Sequence, residues 1–203
     1  MMLTLEQGTV LVSIARRSVD TFVKEGKAAR LETGSENDGF LRARRGAFVT
    51  LSTVSGDLRG CIGFPMPTKP LGEAVMEAAV GAAARDPRFP PVAPRELDGL
   101  LVEVSALTEP EPLRCKPVEL PSHVRIGTDG LIVTSLGSGG LLLPQVATEM
   151  NLTPEDFLSH TCLKAGLLPD AWLTDKVQVQ RFQAEVFAET TPRGTARAHE
   201  TRA

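Results

Sequence analysis

The string Leu58-Arg59-Gly60-Cys61-Ile62-Gly63 sets a guanidinium two residues from a thiol, with glycines beside both. On a β-strand, side chains alternate between faces. Leu58, Ile62 and Phe64 would then share one face, while Arg59, Cys61 and Gly63 share the other. Two residues along a strand is about 6.6 Å, within swing of a guanidinium. A free thiol with a pKa near 8.5 is only about 3% thiolate at neutral pH, and the thiolate is the nucleophile. A positive charge about 5 Å away is worth about 3 kcal/mol at an effective dielectric of 20, and under about 1 kcal/mol in water. Arg59 could therefore activate Cys61 if the pair is partly buried. Gly60 and Gly63 would let backbone amides approach a ligand or a neighbouring strand. The plainer alternative is that a cysteine in a strand is a small core residue and that the glycines serve close packing.

Other side chains are weighed against that centre. Glu103 alternates with Val102 and Val104, so on a strand of the same sheet it could face Arg59, either as an ion-pair partner or as a general base. Asp86 and Arg88 fall in Asp86-Pro87-Arg88-Phe89-Pro90-Pro91, where they could pair with each other or present a cleft edge. His160 and Lys164 are four apart and would share one helix face, whereas Cys162 falls on the apolar face with Leu158 and Ala165. Gly137–Gly140 lacks the Gly-Lys-Ser/Thr ending of a phosphate loop.

The elements that must position these residues are legible in outline. Thr4 with Gln7 forms a capping box, apolar residues from Val10 to Val23 recur at helical spacing, and Gly26 ends the run. Glu32–Gly39 reads as a loop. Ala47–Val54 and Leu58–Phe64 read as a hairpin across Ser55-Gly56-Asp57. Pro70 opens an alanine-rich helix to about Arg85, and the prolines that follow forbid regular helix up to Pro94. Leu100–Leu107 reads as a strand. The proline-punctuated stretch Glu109–Pro121 reads as the boundary between two lobes. Val124–Ile126 and Leu131–Ser135 are expected to form a second hairpin, Gly137–Gly140 to be flexible, and Leu141–Leu143 to be a short strand. Thr153-Pro154 starts a helix that Gly166 ends. Val177–Glu189 reads as a final strand, bulged near Arg181. From Thr190 onward the small, polar residues predict a disordered tail.

Composition bounds the rest. The chain has 203 residues, 42% hydrophobic and 23% charged, which suits an α+β protein of one domain or of two lobes. A net charge of −3 is not that of a protein held to nucleic acid by phosphate contacts, although Arg42, Arg44 and Arg45 cluster locally. No apolar run is long enough to span a membrane, and no basic patch precedes an apolar run at the N-terminus, so neither a membrane anchor nor a secretory signal is expected. Cys61, Cys115 and Cys162 are odd in number and widely spaced, and His123, His160 and His199 are scattered. No disulfide framework, metal site or cofactor is expected, and reduced thiols fit a cytoplasmic protein.

Gly46–Leu51 followed by Gly56-Asp57-Leu58-Arg59-Gly60-Cys61-Ile62-Gly63 resembles the signature of the AMMECR family, of which protein A of the AmmeMemoRadiSam system is also a member. Four further blocks resemble family motifs in the same order: Asp86–Val92, Glu103-Val104-Ser105, Gly140–Ala147 and Thr161–Leu167. The resemblance covers about residues 4–189 as a single domain and leaves 190–203 outside it. It implies a two-lobed α+β fold, an antiparallel sheet flanked by helices with a smaller second lobe and a cleft between. It adds Gln145 to Arg59, Gly60, Gly63, Asp86, Arg88, His160 and Lys164 as candidate ligand-binding residues. It also implies partners, Memo-like and radical-SAM proteins, in a shared modification pathway, and supplies no established reaction.

Three functions are therefore open. The protein could be a binding or pathway component using Arg59 and Cys61 to hold an unknown small molecule or peptide. It could be a cysteine-dependent enzyme with Cys61 as nucleophile and Glu103 as a weak candidate base. Or the string could be scaffolding, with no catalysis. The first is favoured because a nucleophile without a clear base is incomplete.

Overall fold

The computed structural model describes residues 2–31 and 39–199, so most of the expected Glu32–Gly39 loop lies outside the described residues. The chain forms two compact units, one from Met1–Leu107 with Glu185–Glu200 and one from Thr108–Ala184. Among the described residues, no helix is long and apolar enough to cross a membrane.

In the first unit, helix α1 (Leu5–Glu25) begins at Thr4, whose hydroxyl accepts the Gln7 N–H while the Gln7 side chain accepts the Thr4 N–H. It ends at Gly26, whose left-handed backbone returns its N–H to Phe22. A short helix α2 (Gly39–Arg42) leads to strands β1 (Ala47–Thr53) and β2 (Leu58–Phe64), then helix α3 (Leu71–Ala84) and strand β3 (Leu100–Leu107). The strands run antiparallel in the order β2-β1-β3. One sheet face, from Val49, Leu51, Val102 and Val104, is sealed against Leu11, Ala15 and Val19 of α1 and Ala74, Val75 and Ala78 of α3. Small residues on α3 bring it close to the strands: Gly81 lies against the Ile62 side chain, and Gly60 lies under the Ala82 carbonyl.

Two buried ion pairs tie the chain's late residues into this unit. Arg16 forms a fork with Glu189 and also donates to the Leu97 and Leu100 carbonyls, while Glu189 accepts the Val102 N–H. Arg45 pairs with Glu185 and donates to the Leu107 carbonyl. The expected disordered tail is corrected over its first ten residues. Strand β8 (Ala196–His199) pairs with Val186–Glu189 of β7 (Gln178–Glu189), and Arg193 in the intervening turn bonds Asp20 and Asp98. A hairpin at a sheet edge is held by backbone bonds and these charges, so it needs no apolar signature. Residues 200–203 lie outside the described residues.

The second unit holds β4 (Glu111–Pro112), β5 (Asp129–Ser135), β6 (Ser138–Leu142), α4 (Pro144–Glu149), α5 (Pro154–Lys164) and Gln178–Ala184 of β7. Its core joins Leu131, Val133, Phe157, Leu158 and Cys162. The expected hairpin of Val124–Ile126 with Leu131–Ser135 does not form. Buried Asp129 accepts the Arg125 N–H at 3.0 Å and the Gln183 side chain at 3.1 Å, and Asp129 N–H returns to the Arg125 carbonyl at 2.9 Å. That carboxylate curls residues 125–129 into a turn. The hairpin is instead β5–β6 around Leu136-Gly137, where Gly137 takes a φ of 79°. Gly140 is part of β6 rather than of a flexible loop, because a Cβ there would sit 2.4 Å from the Ala165 nitrogen of α5. Strand β7 keeps unbroken register with β5 from Gln178 to Gln183, so the expected bulge near Arg181 is absent from that pairing.

Candidate functional site

The bulge lies elsewhere. The β1–β2 register shifts between Leu51 and Ser52, which pair with Gly60 and Leu58, so Arg59 is the extra residue. A bulge breaks the alternation of faces. Leu58, expected with Ile62 and Phe64 on the core face, is 42% exposed, while those two pack against the core. Arg59 turns toward the loop after α3. Its Nε lies 2.8 Å from Glu96, and its guanidinium donates to the Pro90 carbonyl at 2.9 Å and the Pro91 carbonyl at 3.4 Å. Glu96 also accepts the Ala93 N–H at 2.7 Å, and Arg59 holds its carboxyl below the usual range.

Strand β2 is an edge strand, and its free side is closed by Asp86 and Arg88. Asp86 accepts the Cys61 N–H at 2.8 Å, and Arg88 donates to the Cys61 carbonyl at 3.4 Å. The two side chains complete for Cys61 the hydrogen bonds that a neighbouring strand would supply. Asp86 also takes three bonds from Arg88, at 2.7 Å, 3.0 Å and 3.1 Å. The Arg88 bonds, with the Cys61 amide, hold the buried Asp86 carboxyl well below the carboxylate range against the opposing effect of burial. Phe89 lies between the two cations, with its ring centre 5.9 Å from Arg59 and 5.5 Å from Arg88.

On the sheet face opposite α3, Cys61 pairs with Thr50, and Thr50 pairs with Glu103. A strand position whose N–H points outward belongs to a narrow pair, where side chains come closest. Thr50 Oγ1 accordingly lies 3.3 Å from Cys61 Sγ. All three side chains are half-buried. The Phe48 ring covers Gly63 on this face, 2.2 Å from where a Cβ would be.

A family model described as AMMECR1 matches residues 12–187. The chain belongs to the AMMECR1 family. A protein of Methanothermobacter thermautotrophicus is 50% identical over 188 residues, covering 92% of this chain and 96% of the relative. One of Thermofilum pendens is 47% identical over 202 residues, covering 95% and 94%. The crystal structure of an uncharacterized protein from Pyrococcus horikoshii is similar with a TM-score of 0.83 and 45% identity, over 96% of this chain and 97% of that one.

Of the candidate residues in this AMMECR1-family chain, the first unit gathers Arg59, Gly60, Cys61, Asp86 and Arg88 around β2 and its loop. Glu103 sits two strands away in register with Cys61. Gln145, His160 and Lys164 belong to the second unit. Gln145 is exposed in the first turn of α4, and His160 and Lys164 lie one turn apart on α5, half-buried and exposed respectively. Cys162 is fully buried, and burial pushes its thiol up. Sequence reasoning missed Thr50, Glu96 and Phe89. No local signal could have found Thr50, because the strand ends pair Ser52 with Leu58 and only the extra residue at Arg59 then sets Thr50 opposite Cys61.

Proposed function

We propose that this AMMECR1-family protein is a cytoplasmic binding component of a modification pathway and that it meets its ligand on the sheet face carrying Thr50, Cys61 and Glu103. One observation carries the reading. The arginines and acids of the signature blocks are spent on each other and on backbone carbonyls, which fixes the Cys61 backbone in place. The thiol itself meets a hydroxyl rather than a carboxylate or imidazole. A thiol and a hydroxyl in a row with a carboxylate make a recognition surface, whereas an independent nucleophile needs a base in contact. Three free cysteines suit a reducing compartment. The family resemblance supports Memo-like and radical-SAM proteins as partners, with a small molecule or peptide as the shared ligand.

The test is to mix the purified protein with the Memo-like and radical-SAM proteins of the same organism and follow co-elution. The triple variant Thr50→Val, Cys61→Ser, Glu103→Gln should weaken the complex, and Glu73→Gln on the opposite side of the sheet should not. No complex, or a complex indifferent to the triple variant, sinks the proposal. The cysteine-dependent enzyme reading rests on the half-buried sulfur beside Thr50. It requires turnover that Cys61→Ser abolishes while binding survives.

A further inference from the structure

In the first unit, α1 and α3 pack against each other and leave a groove of about 490 Å³ between the second half of α1 and the exposed face of α3. Phe22, Met76 and Val80, with Ala28 and Ala29 beyond the end of α1, make its walls mainly hydrocarbon. None of the three large side chains is sealed. Each is half-buried, and among the described residues Phe22 and Val80 are members of neither core cluster. Ser18 adds no free donor, because its hydroxyl donates to the Ile14 carbonyl at 2.7 Å. The charges of the groove all stand on α3, with Glu73 and Glu77 one turn apart on its exposed face and Arg85 at its end. Glu77 pairs with Lys69, and Arg85 donates to the Glu77 carbonyl at 3.3 Å. Glu73 has no hydrogen bond or ion pair among the described residues.

We propose that this groove docks an amphipathic helix of a partner protein, one that offers apolar side chains at helical spacing and a lysine or arginine to Glu73. A third helix laid along two packed helices buries its apolar stripe between them. From Glu73 to Arg85 is about 18 Å, or about three turns, enough for anchors at i, i+3 or i+4, and i+7. Those anchors displace water from Phe22, Met76 and Val80, and that burial supplies the attraction. Charge selects the partner at the Glu73 end. Lys69 already offsets Glu77, and Arg85 lies beyond a Debye length of about 8 Å, so it does not cancel Glu73. A cation on the docked helix is drawn to that carboxylate, and an acid in the same place is repelled. The polar stretch 32–38 cannot be the occupant, because it brings no aliphatic or aromatic side chain and carries the carboxylates of Glu32, Glu36 and Asp38. The groove belongs to the helix side of the sheet, so its partner is separate from the ligand of the Cys61 face.

The anisotropy of a dye-labelled peptide about 15 residues long reads docking on the full-length protein. Its leucines stand at i, i+3, i+4 and i+7, two lysines flank them at one end, and glutamines fill the other positions. Saturable binding with a midpoint on the order of 50 µM is expected. A twin peptide with glutamates in place of the lysines should bind at least about threefold more weakly, and so should the original peptide to Glu73→Lys. Glu149→Lys, the same change at an exposed site of the second unit, should leave binding unchanged. Met76→Gln combined with Val80→Gln should weaken it at least about tenfold, with circular dichroism showing that the variant is folded. If that variant does not fold, the exposed Glu73→Lys decides alone. Cys61→Ser should not move the titration, which keeps this groove distinct from the proposed sheet face. No saturable binding up to about 1 mM overturns the inference. So does binding indifferent to Glu73→Lys and to the apolar pair. A dimer of the protein that Val80→Gln dissolves would give the groove to a second copy and overturns it too.

Discussion

The free side of β2 and a cavity of the second unit, with Arg114 and Asp175 on its rim, use the same residue types in opposite ways. Asp86 is buried and accepts four hydrogen bonds, from the Cys61 amide and from Arg88. Asp175 is exposed on a cavity rim and accepts none among the described residues. Arg59 is held by Glu96 and two proline carbonyls, whereas Arg114 has no hydrogen bond or ion pair among the described residues. A charge with all its bonds satisfied internally is architecture, because it has no bonding capacity left for a visitor. A charge kept on a cavity rim without a partner has that capacity. Richness in motif residues is thus a poor guide to where a ligand binds: most of the signature's polar atoms hold a loop against an edge strand.

The largest loss is expected at Gly60. A Cβ there would lie 2.1 Å from the Ala82 carbonyl oxygen, which belongs to helix backbone and cannot rotate away. Gly60→Ala should therefore cost about 3 kcal/mol, read as a fall in the urea midpoint at unchanged slope. The two aspartates come next. Asp86→Ala strands the Cys61 N–H and unpairs Arg88, and should cost about 2 kcal/mol. Asp175→Ala should stay within about 0.5 kcal/mol in the same measurement. Equal effects at the two sites would mean that the edge interlock contributes nothing particular.

What could be read in advance follows from how local each signal is. The α1 capping box, the bounds of β2 and β3 and the Thr153-Pro154 helix start are written in residues three or four apart, and they form as expected. The faces of β2 were misjudged from Arg59 backwards, because one extra residue in a strand reverses the alternation and leaves no mark in composition. Nothing local marks Arg16 or Arg45 as buried, yet both are buried by acids more than 130 positions away. The turn at 125–129 was misread as the tip of a hairpin for the same reason. It depends on Asp129 being buried with Gln183, a contact across 54 positions. At the site, the thiol and the Asp86–Arg88 block were visible, but their mutual contact was not, since a loop's route along a strand edge is a tertiary fact.

Acid should expose the edge interlock in a second way. The folded-state pKa of Asp86 is lowered, so its contribution is complete above the unfolded carboxyl value near 3.9 and is lost as the pH falls toward the folded value. The stability gap between the wild type and Asp86→Asn should therefore shrink between about pH 5 and about pH 2. Glu96 shifts in the same direction, so the variant's own acid dependence flattens without vanishing. An Asp175→Asn control should track the wild type across that range. A gap that stays constant or widens with acid would contradict the role given to the Asp86–Arg88 fork.

The smallest effect on stability is expected at Cys61. Its backbone is fixed by Asp86 and Arg88, and its side chain contacts the Thr50 hydroxyl. Serine keeps a hydrogen-bonding group of similar size in that place, so Cys61→Ser should change stability by less than about 0.5 kcal/mol. Thr50→Val in the same background should add little more, because both groups are half-buried and water can replace the lost bond. If the sheet face is the recognition surface, these nearly silent substitutions should be the ones that weaken partner binding. The Asp86 variants should lose binding only in step with folding. A Cys61→Ser protein that melts several degrees lower would instead make the thiol part of the scaffold, and would move the search for a ligand to the second unit.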